Sequence, residues 1–254
     1  MATQKKIIFI TGATAGFGEA MARRFAAAGH SLILTGRRGD RLARLKSELK
    51  SPVHTIELDV RDRKAVETAI AALPDQFKAV DILINNAGLA LGLEPAHKVA
   101  MEDWEGMIDT NIKGLLYVTR ALLPGMVERD RGHVVNLGSV AGTYPYPGGN
   151  VYGGTKAFVH QFSLNLRADL IGSRVRVTSV EPGMAETEFS VVRFKGDAGK
   201  AKDVYKGLQP MTPDNIAQTI EFITTILPEH VNINTIEMMP VMQAFAPFAV
   251  KREG

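Results

Sequence analysis

Residues 151–158 read Val-Tyr-Gly-Gly-Thr-Lys-Ala-Phe and place a phenol, Tyr152, four residues before an ammonium, Lys156, just after a turn-rich run at 144–149. If Tyr152 opens a helix, Lys156 lies one turn on, over the same face. A free tyrosine titrates near pH ~10 and exchanges protons poorly at neutral pH. A fixed ammonium beside the hydroxyl favours the phenolate and lowers that pKa. Such a pair can pass a proton to or from an alcohol at working pH. An exposed tyrosine and a solvated lysine share the same spacing, so the pair needs support from the rest of the chain.

A second group of residues is suited to phosphate. Thr11-Gly12-Ala13-Thr14-Ala15-Gly16-Phe17-Gly18 follows the β-branched run 6–10 and precedes an Ala-rich helical pattern over 16–28 that stops at Gly29. Gly12 permits a tight turn, Gly16 lets the backbone approach a pyrophosphate, and Gly18 lets helix and strand pack closely. The helix N-terminus then offers N–H groups and a positive dipole end. The spacing is Gly-x-x-x-Gly-x-Gly rather than Gly-x-Gly-x-x-Gly. The next strand, 31–35, runs into Gly36-Arg37-Arg38, where a carboxylate would sit if the ribose 2′-hydroxyl were free. Guanidinium groups grip a phosphate with paired hydrogen bonds, so Arg37 and Arg38 favour NADP(H) over NAD(H). A solvated arginine pair at a helix start is the plainer alternative.

The elements that must position these groups alternate. Strands are expected at 6–10, 31–35, 53–58, 80–84, 133–137, 174–180 and 233–238, with helices at 16–28, 40–50, 62–73, 101–129, 151–172 and 212–227. Pro124 should kink or end the long fourth helix. Phe158, Phe162, Leu166 and Leu170 recur every fourth residue and predict the buried stripe of the helix over 151–172. Short β-branched strands alternating with helices predict an α/β, Rossmann-type doubly wound sheet, mostly parallel, of about seven strands with helices on both faces. No linker or repeat divides residues 1–254, so one dinucleotide-binding and catalytic domain is expected. It carries a low-periodicity substrate loop at about 184–210 and a C-terminal tail at about 241–254.

Composition excludes several classes. With no cysteine there is no disulfide framework and no thiolate metal site, and the six scattered histidines show no metal-ligand spacing. No metal is expected. A formal charge of +3 without a basic arm gives no nucleic-acid footprint. Residues 1–6 hold no signal-peptide core and no apolar run approaches a membrane span, so a cytoplasmic location with no membrane contact is expected.

In order along the chain, Thr11-Gly12-x-x-x-Gly16-x-Gly18, Asn85-Asn86-Ala87-Gly88, Asn111, Ser139, Tyr152-x-x-x-Lys156 and Pro182-Gly183 together resemble the short-chain dehydrogenase/reductase family over nearly the whole length. The resemblance implies that Tyr152 is the general acid/base, that Lys156 tunes it and holds the nicotinamide ribose, and that Ser139 binds the substrate oxygen. Asn111 would hold a water that links Lys156 to solvent. The cofactor set implied is Gly12, Thr14, Gly16, Phe17, Gly18, Arg37, Arg38, Asp59, Val60, Asn86, Ala87, Gly88, Tyr152, Lys156, Pro182, Gly183 and Thr187. Asp59 and Val60 would cradle the adenine, Pro182 and Gly183 would cover the nicotinamide, and Thr187 would meet its carboxamide or the phosphates. A homotetramer is implied as well. Gly138-Ser139-Val140-Ala141-Gly142 is not a Gly-x-Ser-x-Gly elbow, which makes a hydrolase improbable. A non-catalytic NADP-binding sensor would share the fold but has no need of Ser139, Tyr152 and Lys156 together.

The loop after the sixth strand sits where α/β sheets bind ligands. Between 193 and 206 it carries five basic residues against two acidic ones. Arg193, flanked by Val191, Val192 and Phe194, is the candidate for an anionic substrate group, with Tyr144, Tyr146 and the turn to Asn150 as the opposite wall. Within the family, residues 14–19, 86–92 and 231–234 resemble a subgroup acting on small anionic alcohols and aldehydes. Residues 182–189 and 243–249 are more similar to its sulfoacetaldehyde reductases. The first expectation is therefore NADPH-dependent reduction of sulfoacetaldehyde to isethionate, and the second an NADP-dependent 3-hydroxy acid (serine-type) dehydrogenase. A guanidinium holds sulfonate and carboxylate alike.

Overall fold

The computed structural model describes residues 5–244. Strands β1 (Ile7–Ile10), β2 (Ser31–Gly36), β3 (Val53–Glu57), β4 (Ile82–Asn85), β5 (Gly132–Leu137), β6 (Val175–Pro182) and β7 (Thr235–Met238) form one sheet. Their order is β3-β2-β1-β4-β5-β6-β7, and every neighbouring pair is parallel. Helices α1 (Gly16–Ala27), α2 (Gly39–Glu48), α3 (Arg63–Ala71), α4 (Met101–Ile108), α5 (Leu115–Glu128), α6 (Asn150–Asp169), α7 (Phe189–Arg193), α8 (Ala198–Asp203) and α9 (Pro213–Glu221) complete it.

Successive strand residues face opposite sides, so the continuous apolar strands feed two cores. Ile8, Ile10, Leu32, Leu34 and Ile84 pack with Met21 and Phe25 of α1 and Ile216 and Ile220 of α9. On the other side, Phe9, Ile33, Leu83 and Val134 pack with Val66 of α3, Val118 and Met126 of α5, and Leu166 of α6. The expected doubly wound sheet is what forms, with all of the strand pairs parallel.

Three local expectations change. The helix predicted over 101–129 is α4, a π-helical segment at Asp109–Gly114, and α5, which runs through Pro124 to Glu128 instead of ending there. The proline removes one donor, and a helix with buried Val118, Leu122 and Met126 on its core side tolerates the loss. On α6 the buried stripe is Tyr152, Thr155, Lys156, Val159, Ser163 and Leu166, while Phe158 and Phe162 stack on each other half-buried at its flank. The catalytic-type residues thus lie on the inward face of the helix. The region 184–210 holds α7 and α8 and is pinned at its base by a parallel bridge between Ala185 and Met211. Of the expected tail at 241–254, residues 245–254 lie outside the described residues.

Candidate active site

The carboxyl ends of β1, β2, β4, β5 and β6 open into one cleft of about 360 Å³. It begins at the turn after β1. Gly12 has a φ of +66°, which an L side chain rarely adopts, and a Cβ there would lie 3.0 Å from the Ala87 Cα. A Cβ on Gly18 would fall inside the Gly12 carbonyl and lie 2.8 Å from the Asn86 amide. Asn86 is the clamp: its Nδ2 donates to the carbonyls of Thr11 (2.8 Å) and Gly12 (3.1 Å). The Thr11 hydroxyl in turn accepts from the backbone N–H groups of Asn86 and Ala87.

Gly12, Thr14, Gly16, Phe17, Arg37, Arg38, Asp59, Val60, Asn86, Ala87, Gly88, Pro182, Gly183 and Thr187 all line the cleft, as do Ser139, Tyr152 and Lys156. Gly18 does not; it packs beneath the turn, as its expected role requires. Arg37 is exposed, whereas Arg38 is folded back so that its Nε and one terminal nitrogen donate to the Thr14 hydroxyl (3.1 and 2.9 Å). Hydrogen bonds from Arg61 lower the Asp59 carboxyl from its ordinary value, so it stands ionised at this end of the cleft. Glycine backbone at the phosphates, arginines after β2 and a carboxylate after β3 form a cradle that fits a phosphorylated dinucleotide.

At the other end, α6 projects Tyr152 and Lys156 inward, both less than one-tenth exposed. Lys156 donates to the Leu137 carbonyl at 2.7 Å and lies 5.8 Å from the centre of the Tyr152 ring. Burial lowers the Lys156 ammonium to about 8. Burial also pushes the Tyr152 phenol up to about 12, opposed by the Arg193 charge and the Ser139 hydroxyl. This corrects the expectation from spacing that Lys156 lowers the phenol. Enclosure outweighs it, and the cation that acts on Tyr152 is Arg193.

Arg193 ends α7. Its guanidinium carbon lies 5.1 Å from the Tyr152 ring centre, 5.4 Å from that of Phe189 and 5.9 Å from that of Tyr146. One terminal nitrogen donates to the Tyr146 hydroxyl at 3.2 Å, and the buried Nε has no hydrogen-bond partner among the described residues. Ser139 caps a short turn, accepting from the Ala141 N–H and donating to the Pro182 carbonyl (3.1 and 3.3 Å).

Of the other expected site residues, Arg193, Tyr146, Asn111, Tyr144 and Asn150 are not part of the cleft lining; Arg193 packs on the Tyr152 ring behind it, bonded to Tyr146. The Asn150 amide accepts from the Trp104 indole and donates to the Glu94 carbonyl, and Asn150 does not line the cleft. Tyr144 donates to Glu237 instead of forming the wall. Asn111 lies in the π-helical segment, where its side chain accepts from the Leu89 N–H and donates to the Leu89 carbonyl and the Thr155 hydroxyl. A Cβ on Gly88 would lie 3.3 Å from Asn111 Oδ1 and 3.7 Å from Lys156 Nζ, so the two side chains are neighbours. Phe189, missed from sequence, leans on Tyr152 with ring centres 5.8 Å apart. Its spacing of four from Arg193 was the available signal. Among the described residues no group of three or more His, Cys, Asp or Glu could hold a metal, and no helix is long and apolar enough to cross a membrane.

Residues 6–197 match the family model described as short chain dehydrogenase. The NADP-dependent 3-hydroxy acid dehydrogenase YdfG of Salmonella typhi is 62% identical over 247 residues, covering 97% of this chain and 99% of its own. The serine 3-dehydrogenase of Agrobacterium fabrum is 57% identical over 247 residues, covering 97% and 98%. Among solved structures, the closed form of a serine dehydrogenase complexed with NADP+ superposes with a TM-score of 0.96 at 58% identity, covering 97% of this chain and all of its own.

Proposed function

The chain belongs to the short-chain dehydrogenase family, and on that premise we propose that it oxidises the 3-hydroxyl group of a small 3-hydroxy acid such as serine. It is an NADP-dependent oxidoreductase acting on a CH–OH group. The relatives at 57–62% identity are named for 3-hydroxy acids and for serine, which puts the carboxylate substrate ahead of sulfoacetaldehyde. That reverses the order expected from the sequence alone.

The observation that carries the substrate class is Arg193. A guanidinium stacked on the acid/base ring, with a buried Nε that has no partner, is poised to take a planar anion beside the reacting carbon. Ser139 would hold the substrate hydroxyl, and Tyr146 would orient the guanidinium from behind. Gly12–Gly18 would hold the cofactor's pyrophosphate, Arg37 and Arg38 its 2′-phosphate, Asp59 and Val60 its adenine, and Pro182, Gly183 and Thr187 its nicotinamide. When bound, NADP+ would supply the hydride acceptor.

The chain's own work is proton handling. Tyr152 takes the hydroxyl proton as the hydride leaves the same carbon, and returns it in the reverse direction. Enclosure makes the protonated phenol the resting form, so the positive charges around it set how readily it acts as base. Lys156, softened to about 8, exchanges protons with solvent, with Asn111 beside it to hold the relay. Exposed apolar side chains at Phe222, Ile226, Val241 and Met242 support self-association, and we keep a homotetramer in the cytoplasm as part of this reading.

Steady-state kcat/KM with NADP+ for L-serine and 3-hydroxypropionate, against isethionate, tests the assignment. The carboxylates should lead; a large advantage for isethionate would restore the sulfonate reading.

A further inference from the structure

The seat assigned above to the 2′-phosphate is gripped from within. Glu188 immediately precedes α7, and its carboxylate accepts from an Arg38 terminal nitrogen at 3.1 Å and from one of Arg41 at 2.8 Å to both oxygens. Arg41 lies in the first turn of α2 and belongs to none of the cofactor residues named above. Arg38 already leans on Thr14 of the glycine loop. Two guanidinium groups therefore converge on one carboxylate beside that loop, the geometry that serves a phosphate equally well.

The same carboxylate begins the short helix that bears the substrate cation. Phe189 and Arg193 of α7 both contact the Tyr152 ring, and just beyond them Lys195 donates to Asp103 at 2.8 Å. One five-residue helix joins the arginine seat to the anion site over the acid/base.

We propose that Glu188 is an internal competitor for the cofactor's 2′-phosphate at a seat completed by Arg41, and that its displacement transmits phosphate docking to α7. The inference rests on the NADP reading and names two further specificity-determining residues. The side chains of Arg38, Arg41 and Glu188 are 42%, 32% and 50% exposed, so each pair is weak and readily exchanged for a doubly charged phosphate. Like-charge repulsion then pushes the carboxylate away from the seat.

Adenosine 2′,5′-bisphosphate and 5′-AMP are the probes, since neither reaches the substrate end. Titration calorimetry should show the bisphosphate preferred. Glu188→Gln should tighten it about fivefold, roughly the worth of two exposed pairs, and leave 5′-AMP unchanged. Arg41→Ala should weaken the bisphosphate alone. The chain's one tryptophan, Trp104, neighbours Asp103, so its fluorescence should change on bisphosphate binding in the parent protein and much less in Glu188→Gln. Equal binding of the two probes to the parent would overturn the NADP reading itself. A preference for the bisphosphate that Glu188→Gln and Arg41→Ala both leave untouched would overturn the competitor and keep the cofactor. A bisphosphate signal from Trp104 that is the same in Glu188→Gln would refute the transmission to α7.

Discussion

Replacing Arg193 by methionine separates substrate recognition from acid/base chemistry. Methionine keeps an unbranched, polarizable side chain against Tyr146, Tyr152 and Phe189, so the aromatic cage stays filled. The charge is lost. A hydrogen bond to a charged partner is worth about 1.5–3 kcal/mol, which predicts a loss of about ten- to hundredfold in kcat/KM for 3-hydroxypropionate. A neutral alcohol of the same length, 1-propanol, never used that bond. Arg193 also opposes the upward push of burial on Tyr152, so its removal lets the phenol rise further. Less phenolate is then present at any given pH, and the rising limb of the oxidation rate moves to higher pH for both substrates. The ratio of the two kcat/KM values cancels this shared effect. Measured from pH 7 to 10, the ratio should collapse while both profiles move upward, and Arg193→Lys should return much of the profile but little of the ratio. An unchanged ratio would refute the anion-anchor argument and leave Arg193 as packing for Tyr152.

Two further outcomes follow from the scaffold. Gly18→Ala drives a methyl into backbone beneath the glycine turn, with Ala13 Cα 2.9 Å from the new atom, and overpacking of this kind costs about 1–3 kcal/mol. Thermal unfolding should fall by about 3–10 °C, and an unaltered midpoint would show slack between α1 and the turn. His133 is fully enclosed and its imidazole is held well below its ordinary value, by burial first and then by the Arg176 charge. The folded state therefore keeps it neutral while the unfolded chain protonates it below pH ~6.5. Its contribution is complete above that pH and is lost as pH falls below it, at up to about 1.4 kcal/mol per unit. Urea titrations between pH 7 and 5 should show that slope reduced in His133→Gln; the same slope in both proteins would assign it to His30 and His54, which burial lowers as well.

The central strands were legible because they are buried on both faces and read as short apolar runs, as Ile7–Ile10 and Ile82–Asn85 do, while the edge strands β3 and β7 are only partly buried. The residues expected to hold the cofactor's phosphates are near neighbours in sequence, and Gly12, Thr14, Gly16, Phe17, Arg37 and Arg38 line one cleft. What stayed hidden depended on distance or on degree. The π-helical turn at Asp109–Gly114 changes hydrogen bonding without changing the apolar pattern. Glu188 meets Arg38 across 150 residues, with no local signature at either end. Asn150 has the right chemistry for a substrate wall, but as the first residue of α6 it is tied to Trp104 and Glu94. The direction of the Tyr152 shift could not be read from a five-residue spacing, because it follows from burial among residues of separate elements, Ala90, Met107, Tyr146 and Phe189 among them.

The Asn86 clamp also has a meaning for how the chain is made. The turn that should receive the pyrophosphate lies at residues 11–18, yet its carbonyls are fixed by a side chain that follows β4, 75 residues later than Thr11. During synthesis the first three strands and α1 emerge before Asn86 can fix those two carbonyls, and β1 lacks its second neighbour until β4 arrives. Closing that long-range contact is a slow step of the kind that non-local parallel pairing imposes. Nascent chains ending before Asn86 should therefore show no dinucleotide affinity, and those that extend past β4 form the first species able to recruit cofactor as a folding ligand.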